Sequence, residues 1–274
     1  MSTQDVRTDL TYDALKALAD SLPAFRGWDF SPMRTARDPV PWDYHDVVRR
    51  YLTPASHVLD VGTGGGEQFL RLAPAFGRGI GADPNHERIR AARENVAQAE
   101  AGGLPHGRVA FQTIPSDFLP FPDGSFDAVL LRHAPVFMDE IVRVLRPGGY
   151  FVTQGVGRRN MRSICTVFGV TAYGEPLAGA PLRPSRSQDR TGVGHTFRRR
   201  GRRATVVARA EYDVRYFVRD AGSLIFWVRA LDLPVGGFDI NRHWSQLAQI
   251  IRDHTGPQGI QTNEHRSLLV VRRE

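Results

Sequence analysis

The sequence predicts an α/β fold: a doubly wound, mostly parallel sheet with helices on both faces. Two observations carry the prediction. From Val58 onward, short apolar runs alternate with helical patterns, as expected of strands buried on both faces and the helices that connect them. The first of these runs passes straight into a helix through "VGTGGGE", with four glycines within the five positions Gly62–Gly66. Right-handed crossovers between parallel strands then fix much of the topology.

The elements follow in order. Residues 1–50 read as a helical cap with an aromatic-rich turn. "TYDALKALADSL" places Leu15, Leu18 and Leu22 near one helix face. "FRGWDFSPMRTARDPVPWDYHDVVRRYL" sets Trp28, Phe30, Trp42 and Tyr44 among prolines and a glycine. Large aromatics in such a segment must pack on something, and either a ligand pocket or the domain's own core would serve. "HVLDVG" then reads as a strand and "EQFLRLAPAF" as a helix. "RGIGAD" is a second strand, followed by the helix "PNHERIRAARENVAQAEA". "RVAFQTI" and "SFDAVLLRHA" supply the third and fourth strands, "FMDEIVRVL" a helix and "GGYFVTQGV" a fifth strand. "NMRSICTVFGV" reads as a helix, whereas "GEPLAGAPLRPSRSQDRTGVGHTFRRRGRR" has little periodicity and is expected to be mobile in part. "ATVVARAEYDVRYF" is a long strand candidate, "DAGSLIFWVRAL" and "HWSQLAQIIRDH" are helix candidates, and "SLLVVRR" closes the chain as a strand.

Composition bounds the function. The chain has 274 residues, 41 % hydrophobic and 24 % charged, the balance of an ordinary soluble globular protein. No apolar run approaches the ~20 residues of a membrane span, and the acidic start "MSTQDVRTDLTYDALKALAD" lacks the apolar centre of a secretory signal. Cys165 is the single cysteine, which excludes an internal disulfide and a Cys-rich zinc site. A cytoplasmic location is expected, with no membrane partner. The net charge of +7 and pI near 10.1 suit a polyanionic partner. Yet all 36 basic residues except Lys16 are arginine, a skew that G- and C-rich codons also produce. The charge is therefore discounted as a sign of nucleic-acid binding.

A strand that ends in glycines and enters a helix brings backbone N–H groups to one point on the ligand-binding crevice of a parallel sheet. Gly62, Gly64 and Gly66 give G-x-G-x-G, and Glu67 stands where a dinucleotide site has its last glycine. An acid there would repel a pyrophosphate. Asp83 ends the second strand 19 residues after Gly64, where a carboxylate can accept from ribose hydroxyls. Asp117 follows the third strand, and Pro147-Gly148-Gly149 turns a helix into a strand. Each carboxylate also has a local reading: backbone satisfaction for Asp60, a helix cap for Asp83, a turn for Asp117.

The set "VLDVGTGGGE", "GADPN", "SDFLPFPDGSFDAVLLRHA" and "RVLRPGGYFV" resembles the class I S-adenosylmethionine-dependent methyltransferases, in particular the small-molecule type, over residues 45–157. The resemblance implies a Rossmann-like sheet of seven strands in the order 3-2-1-4-5-7-6, with the last strand antiparallel. It carries an N-terminal helical cap and an insertion before strand 6. It divides the chain into a cap (1–50), a cofactor-binding core (51–157), an insertion forming a mobile substrate loop (158–203) and closing strands and helices (204–274). It also implies a site for S-adenosylmethionine, with S-adenosylhomocysteine as product. The turn with Gly62, Thr63, Gly64 and Gly66 would pass beneath the methionine part, with Asp60 near its amino group. Asp83 would bind the ribose, Pro84 would lie beside the adenine, Asp117 would accept from the adenine amino group and Phe118 would face the ring. Arg132 and His133 would line the crevice beside the methyl group.

Methyl transfer needs alignment above all, and a base only where the acceptor must lose a proton early. His133, ending the fourth strand, is the candidate base; the other reading is a side chain bonded to a loop carbonyl. His243 and His265 are weaker candidates. Trp28, Phe30, Trp42, Tyr44 and Phe137 are the expected acceptor-binding residues. Phe226 and Trp227 stand at helical spacing with Leu224 and Ile225, which more often means core. The expected partner is a flat or apolar small molecule, and the overall look is similar to tailoring methyltransferases of bacterial secondary metabolism. RNA methylation through "FRRRGRR" is the main rival, and a cofactor-binding protein without transfer the second. Nucleic acid is disfavoured because no RNA-binding module or zinc cluster accompanies the run. No metal site is expected.

Overall fold

Helix and strand boundaries follow from local chemistry that the chain repeats. The computed structural model describes residues 10–25, 30–170, 196–199, 201–231 and 237–274. α1 (Tyr12–Ser21) starts where the Thr11 hydroxyl accepts from the Ala14 N–H, and it buries Leu15 and Ala19. β1 (Thr35–Arg37) is short. α2 (Tyr44–Arg49) is capped by Asp43, whose carboxylate accepts from the His45 and Asp46 N–H groups. β2 (His57–Val61) leads through the glycine turn to α3 (Glu67–Leu70). That helix is far shorter than the run "EQFLRLAPAF" predicts, and a 3-10 turn at Ala73–Ala75 replaces its second half. Pro74 lies in that turn and has no N–H to continue an α-helix.

β3 (Arg78–Asp83) leads to α4 (His86–Ala101), capped by Asn85, and then to β4 (Val109–Thr113). β5 (Phe126–Arg132), α5 (Met138–Val144) and β6 (Leu145–Val156) follow. α6 (Arg162–Val167) and β7 (Thr196–Arg199) lie within the stretch expected to be an insertion. β8 (Arg202–Val218), α7 (Ala221–Ala230), α8 (Ile240–His254), β9 (Thr255–Gly256) and β10 (Gly259–Arg273) complete the fold.

The strands form one sheet in the order β1-β8-β10-β6-β5-β2-β3-β4, with β7 added to β8 and β9 to β10. β4, β3, β2, β5 and β6 run parallel, and β10 is antiparallel to both β6 and β8. The count corrects the expectation: ten strands are present among the described residues, not seven, and the order does not stop at β8. β1 comes from the segment read as a helical and aromatic cap, and it pairs antiparallel with Tyr216–Val218. It covers backbone groups that the end of β8 would otherwise leave open on a sheet edge. Within "FRRRGRR", Phe197–Arg199 lie in β7 and Arg202 and Arg203 in β8, the two strands of a hairpin in register from Thr196↔Thr205 to Arg199↔Arg202.

Alternating side chains pack the two faces separately. Val58, Phe69, Phe111, Leu130 and Val152 belong to one core, and Leu59, Leu131, Ile141 and Phe151 to another. A third core joins α1, α6, α7 and α8 through Leu15, Ile164, Leu224, Val228 and Leu247. It holds α7 as one wall of the cavity described below. Among the described residues, no helix is long and apolar enough to cross a membrane.

Candidate cofactor and acceptor site

The glycine turn is built to close tolerances. Gly62, Gly64 and Gly66 have φ of +74°, +61° and +78°, a region that L side chains rarely adopt. A methyl group on Gly62 would sit 2.5 Å from Cβ of Ala134, and one on Gly66 2.4 Å from the Phe111 ring. The Gly62 and Thr63 N–H groups both donate to the Ala82 carbonyl, at 2.8 and 3.0 Å, so the turn is tied to the end of β3. Asp83, the last residue of β3, accepts from the Gly64 N–H at 3.1 Å and from the Asn85 N–H at 2.9 Å.

Asp83 is 2 % exposed and Arg88 approaches it at 3.7 Å. Its visible work is to hold the turn, and the cap of α4 is Asn85, not Asp83. Asp60 lies buried beneath the turn, and burial pushes its carboxyl up to about 7 against the pull of Thr63 and Arg132. The buried Thr63 hydroxyl lacks a hydrogen bond of good geometry, though it lies near enough to Asp60 to favour the ionised form. Pro84 and Asp117 are exposed, and Phe118 is 63 % exposed, a large apolar side chain presented to solvent.

Arg132 and His133 end β5 beside the turn. The buried Arg132 Nε has no hydrogen-bond partner among the described residues. A small cavity of about 30 Å³ separates it from Asp60, Gly62, Thr63 and Tyr44. The Tyr44 hydroxyl donates to the Val152 carbonyl at 3.3 Å, and its pKa is raised by burial first and then by Asp60. His133 carries a φ of +59°, held by its N–H donating to the Gln154 carbonyl at 2.9 Å. Trp42 Nε1 donates to Gln154 Oε1 at 3.0 Å, which turns the Gln154 amide nitrogen toward His133 Nε2, a long contact of 3.5 Å. Burial, and after it the charges of Arg132 and Arg266, push the His133 imidazole well below its ordinary value.

A cavity of about 640 Å³ opens beside the turn. Of the residues singled out in the sequence, Phe30, Arg132 and His133 line it, while Trp42, Tyr44 and Phe137 do not. Trp42 packs edge-on against Tyr212 at 4.6 Å, Tyr44 lies under the turn, and Phe137 sits exposed at the start of α5. Trp28 lies outside the described residues, as do 171–195 and 200 of the expected substrate loop. Trp227 is both core and wall: it is 8 % exposed and lines the cavity.

The sequence reading missed Gln68, Arg71, Asn160, Tyr216, Glu264 and Arg266, all of which line the cavity. Glu264 accepts from Arg37 at 2.7 Å, from the Tyr212 hydroxyl at 2.6 Å and from Arg266 at 3.3 Å. Arg266 also donates to Asn160 Oδ1 at 2.5 Å. The one sequence signal was the i, i+2 spacing of Glu264 and Arg266 in "NEHRSLL", which puts both on one face of a strand. His265, between them, points to the other face. It accepts from the Arg159 N–H at 3.0 Å and pairs with Glu211, so it is tied to structure and not to the cavity.

These residues fit S-adenosylmethionine. A Cβ on Gly62 or Gly66 would fill space at the turn, and the unsatisfied Thr63 hydroxyl and the buried Asp60 beside it offer a donor and an acceptor for the polar groups of the methionine part.

Comparison with known proteins agrees. Residues 59–153 match the family model of the methyltransferase domain. The demethylmenaquinone methyltransferase of Symbiobacterium thermophilum is 33 % identical over 122 residues, 40 % of this chain and 47 % of the relative. The fatty-acid O-methyltransferase of Mycolicibacterium smegmatis is 31 % identical over 150 residues, 51 % of this chain and 48 % of the relative. The chain thus spans about half the length of these curated relatives. A solved putative methyltransferase from Bacillus halodurans superposes with a TM-score of 0.54 at 15 % identity, covering 84 % of this chain and 98 % of its own, which speaks for the fold. Over residues 59–153 the chain is thus similar to the methyltransferase domain, and the solved relative speaks for the same fold.

Proposed function

We propose that the protein transfers a methyl group from S-adenosylmethionine to a small-molecule acceptor held in the 640 Å³ cavity. One observation carries this: the space under the glycine turn and the cavity share Gln68 and Arg132 as walls, so a cofactor on the turn and an acceptor in the cavity would meet. In this reading Gly62, Thr63, Gly64 and Gly66 cradle the methionine part, and Asp60 faces its ammonium group. Asp83 takes the ribose once the Arg88 side chain moves aside. Pro84, Asp117 and Phe118, exposed as they stand, frame the adenine.

When bound, S-adenosylmethionine supplies an activated methyl group on a sulfonium. The chain's own residues align and shield. The apolar wall of Phe30, Met33, Tyr216 and Trp227 excludes water, and alignment contributes on the order of 7–11 kcal/mol in well-oriented reactions. His133 is held neutral, and its Nε2 faces the Gln154 amide, which makes it a poor proton acceptor. We therefore assign it to shape and polarity of the wall, and the acceptor is one that needs no strong base. The apolar wall supports a tailoring role in bacterial secondary metabolism. RNA methylation gains no support from the hairpin, because Arg202 pairs with Asp123 and Arg199 lies 3.9 Å from Asp139.

Calorimetric titration with S-adenosylhomocysteine, beside NAD, tests the cofactor site. Saturable binding of the first alone is expected, and no binding to ligand-free protein would sink the reading. Production of S-adenosylhomocysteine on addition of small-molecule extracts separates transfer from binding without transfer.

A further inference from the structure

The charges around the cavity do not balance. Three guanidinium groups, Arg37, Arg132 and Arg266, stand against two buried carboxyls: Glu264, already committed to Arg37, Arg266 and the Tyr212 hydroxyl, and Asp60, which burial pushes up to about 7. Arg132 has no carboxylate within ion-pairing distance among the described residues, and its Nε is buried without a partner. Among the described residues, the exposed Arg71 meets only the Gln68 side-chain oxygen, at 3.5 Å. The other acid on the wall, Glu67, is turned toward the Asn95 amide. A buried cation without a counter-charge is costly, so a cavity built this way is completed by an anion. The rest of the lining is apolar: Phe30, Met33, Tyr216, Trp227 and Leu231.

We propose that the acceptor is an amphiphilic anion, its negative group held by Arg266 and Arg132 and its apolar body lying against Trp227, Tyr216 and Met33. This rests on the reading of the cavity as the acceptor site. The depressed basicity of Arg132, due first to burial and in part to the like charge of Arg266, is what an uncompensated cation there would show. A carboxylate and a phosphate monoester share the required chemistry.

The test is calorimetry on the full chain saturated with S-adenosylhomocysteine, using octanoate, octyl phosphate and neutral octanol as probes. Octanoate or octyl phosphate is expected to bind at least about tenfold tighter than octanol, the margin of one charge-assisted pair. Whichever anion binds tighter names the class. Arg266→Gln should cut that margin to about threefold or less, and Arg266→Lys should keep part of it, with S-adenosylhomocysteine affinity unchanged in both. Melting curves establish that each variant is folded, and Arg266→Met, which keeps the length of the side chain, serves as the second variant if one is not. Equal binding of octanol, or no anion binding to the loaded protein, would overturn the proposal. So would anions that bind only by displacing S-adenosylhomocysteine, because the guanidinium groups would then serve the cofactor's own carboxylate. Anion binding without any S-adenosylhomocysteine binding would keep the anion site and overturn the cofactor reading instead.

Discussion

The two sides of the sheet hold their functional residues in different ways. Around the glycine turn, partners are near in sequence and the constraint is steric. The Gly64 N–H reaches Asp83 19 residues on, and a Cβ on Gly66 would run into the Phe111 ring of β4. On the β8–β10 side the constraint is electrostatic and the partners are remote: Arg37 and Glu264 are 227 residues apart. The first side tolerates no added atom, whereas the second tolerates changes of shape but not of charge. Under the proposed function, the cofactor would be met by rigid backbone and the acceptor by side chains that pairing across the sheet brings together.

Gly66→Ala should break the first side most severely. Left-handed backbone and a methyl 2.4 Å from Phe111 together should cost about 2–4 kcal/mol in denaturant unfolding. S-adenosylhomocysteine affinity should fall more than about tenfold. A variant with unchanged melting and affinity would mean that the turn is far softer than its contacts imply.

Glu264→Gln is the counterpart on the second side. It leaves Arg37 and Arg266 without their carboxylate and should cost about 2–3 kcal/mol, somewhat less than a fully buried pair because Arg37 is 41 % exposed. S-adenosylhomocysteine affinity should stay within about twofold. A large loss of cofactor affinity would show that the two sides are coupled and the contrast drawn above is wrong.

Asp83→Ala removes an acceptor from two backbone N–H groups, a loss of about 1–2 kcal/mol, and should weaken S-adenosylhomocysteine by about tenfold or more. Asp83→Asn, which keeps one acceptor oxygen, should recover part of the stability but not the affinity. Equal recovery of both would reduce Asp83 to a strut for the turn.

Asp60 sharpens the comparison through pH. Its folded-state pKa of about 7 lies above the ordinary ~3.9 of an unfolded chain. Between those values the folded protein keeps a proton that the unfolded chain has released. The stability this group contributes is therefore complete below pH ~4 and is lost as pH rises through about 7. Melting temperatures of wild type and Asp60→Asn, compared at pH 5 and pH 8, should show the variant gaining relative to wild type at the higher pH. A constant difference would mean that Asp60 does not titrate in the folded protein between those two pH values.

The smallest effect on stability is expected at Phe118. Phe118→Ala should change unfolding by no more than about 0.5 kcal/mol, since the ring is 63 % exposed. Loss of stacking should still weaken S-adenosylhomocysteine by about tenfold. Unchanged affinity would remove Phe118 from the adenine site.

The legibility of this molecule follows the same divide. Gly62, Gly64, Gly66, Asp60 and Asp83 were readable because strand, turn and carboxylate lie within one β-α-β unit, where spacing alone brings them together. Phe30 was readable as an aromatic without a home. Trp42 and Tyr44 were expected to bind the acceptor but lie outside the large cavity; the alternative left open, packing on the domain's own interior, is what their contacts show. β1 was missed because three residues carry too little pattern to compete with the prolines and aromatics around them. Glu264, Arg266, Tyr216 and Asn160 gave almost no signal, since a charged residue in a strand usually faces water.

By itself the sequence determined the α/β class, the parallel core and the glycine turn. Each follows from hydrophobic period and backbone freedom, which are properties of neighbours along the chain. The tertiary structure alone decided the β1 edge, the two roles of Trp227 and the excess of guanidinium charge in the cavity. Those depend on which strand lies beside which, and pairing between residues more than two hundred positions apart leaves no local trace.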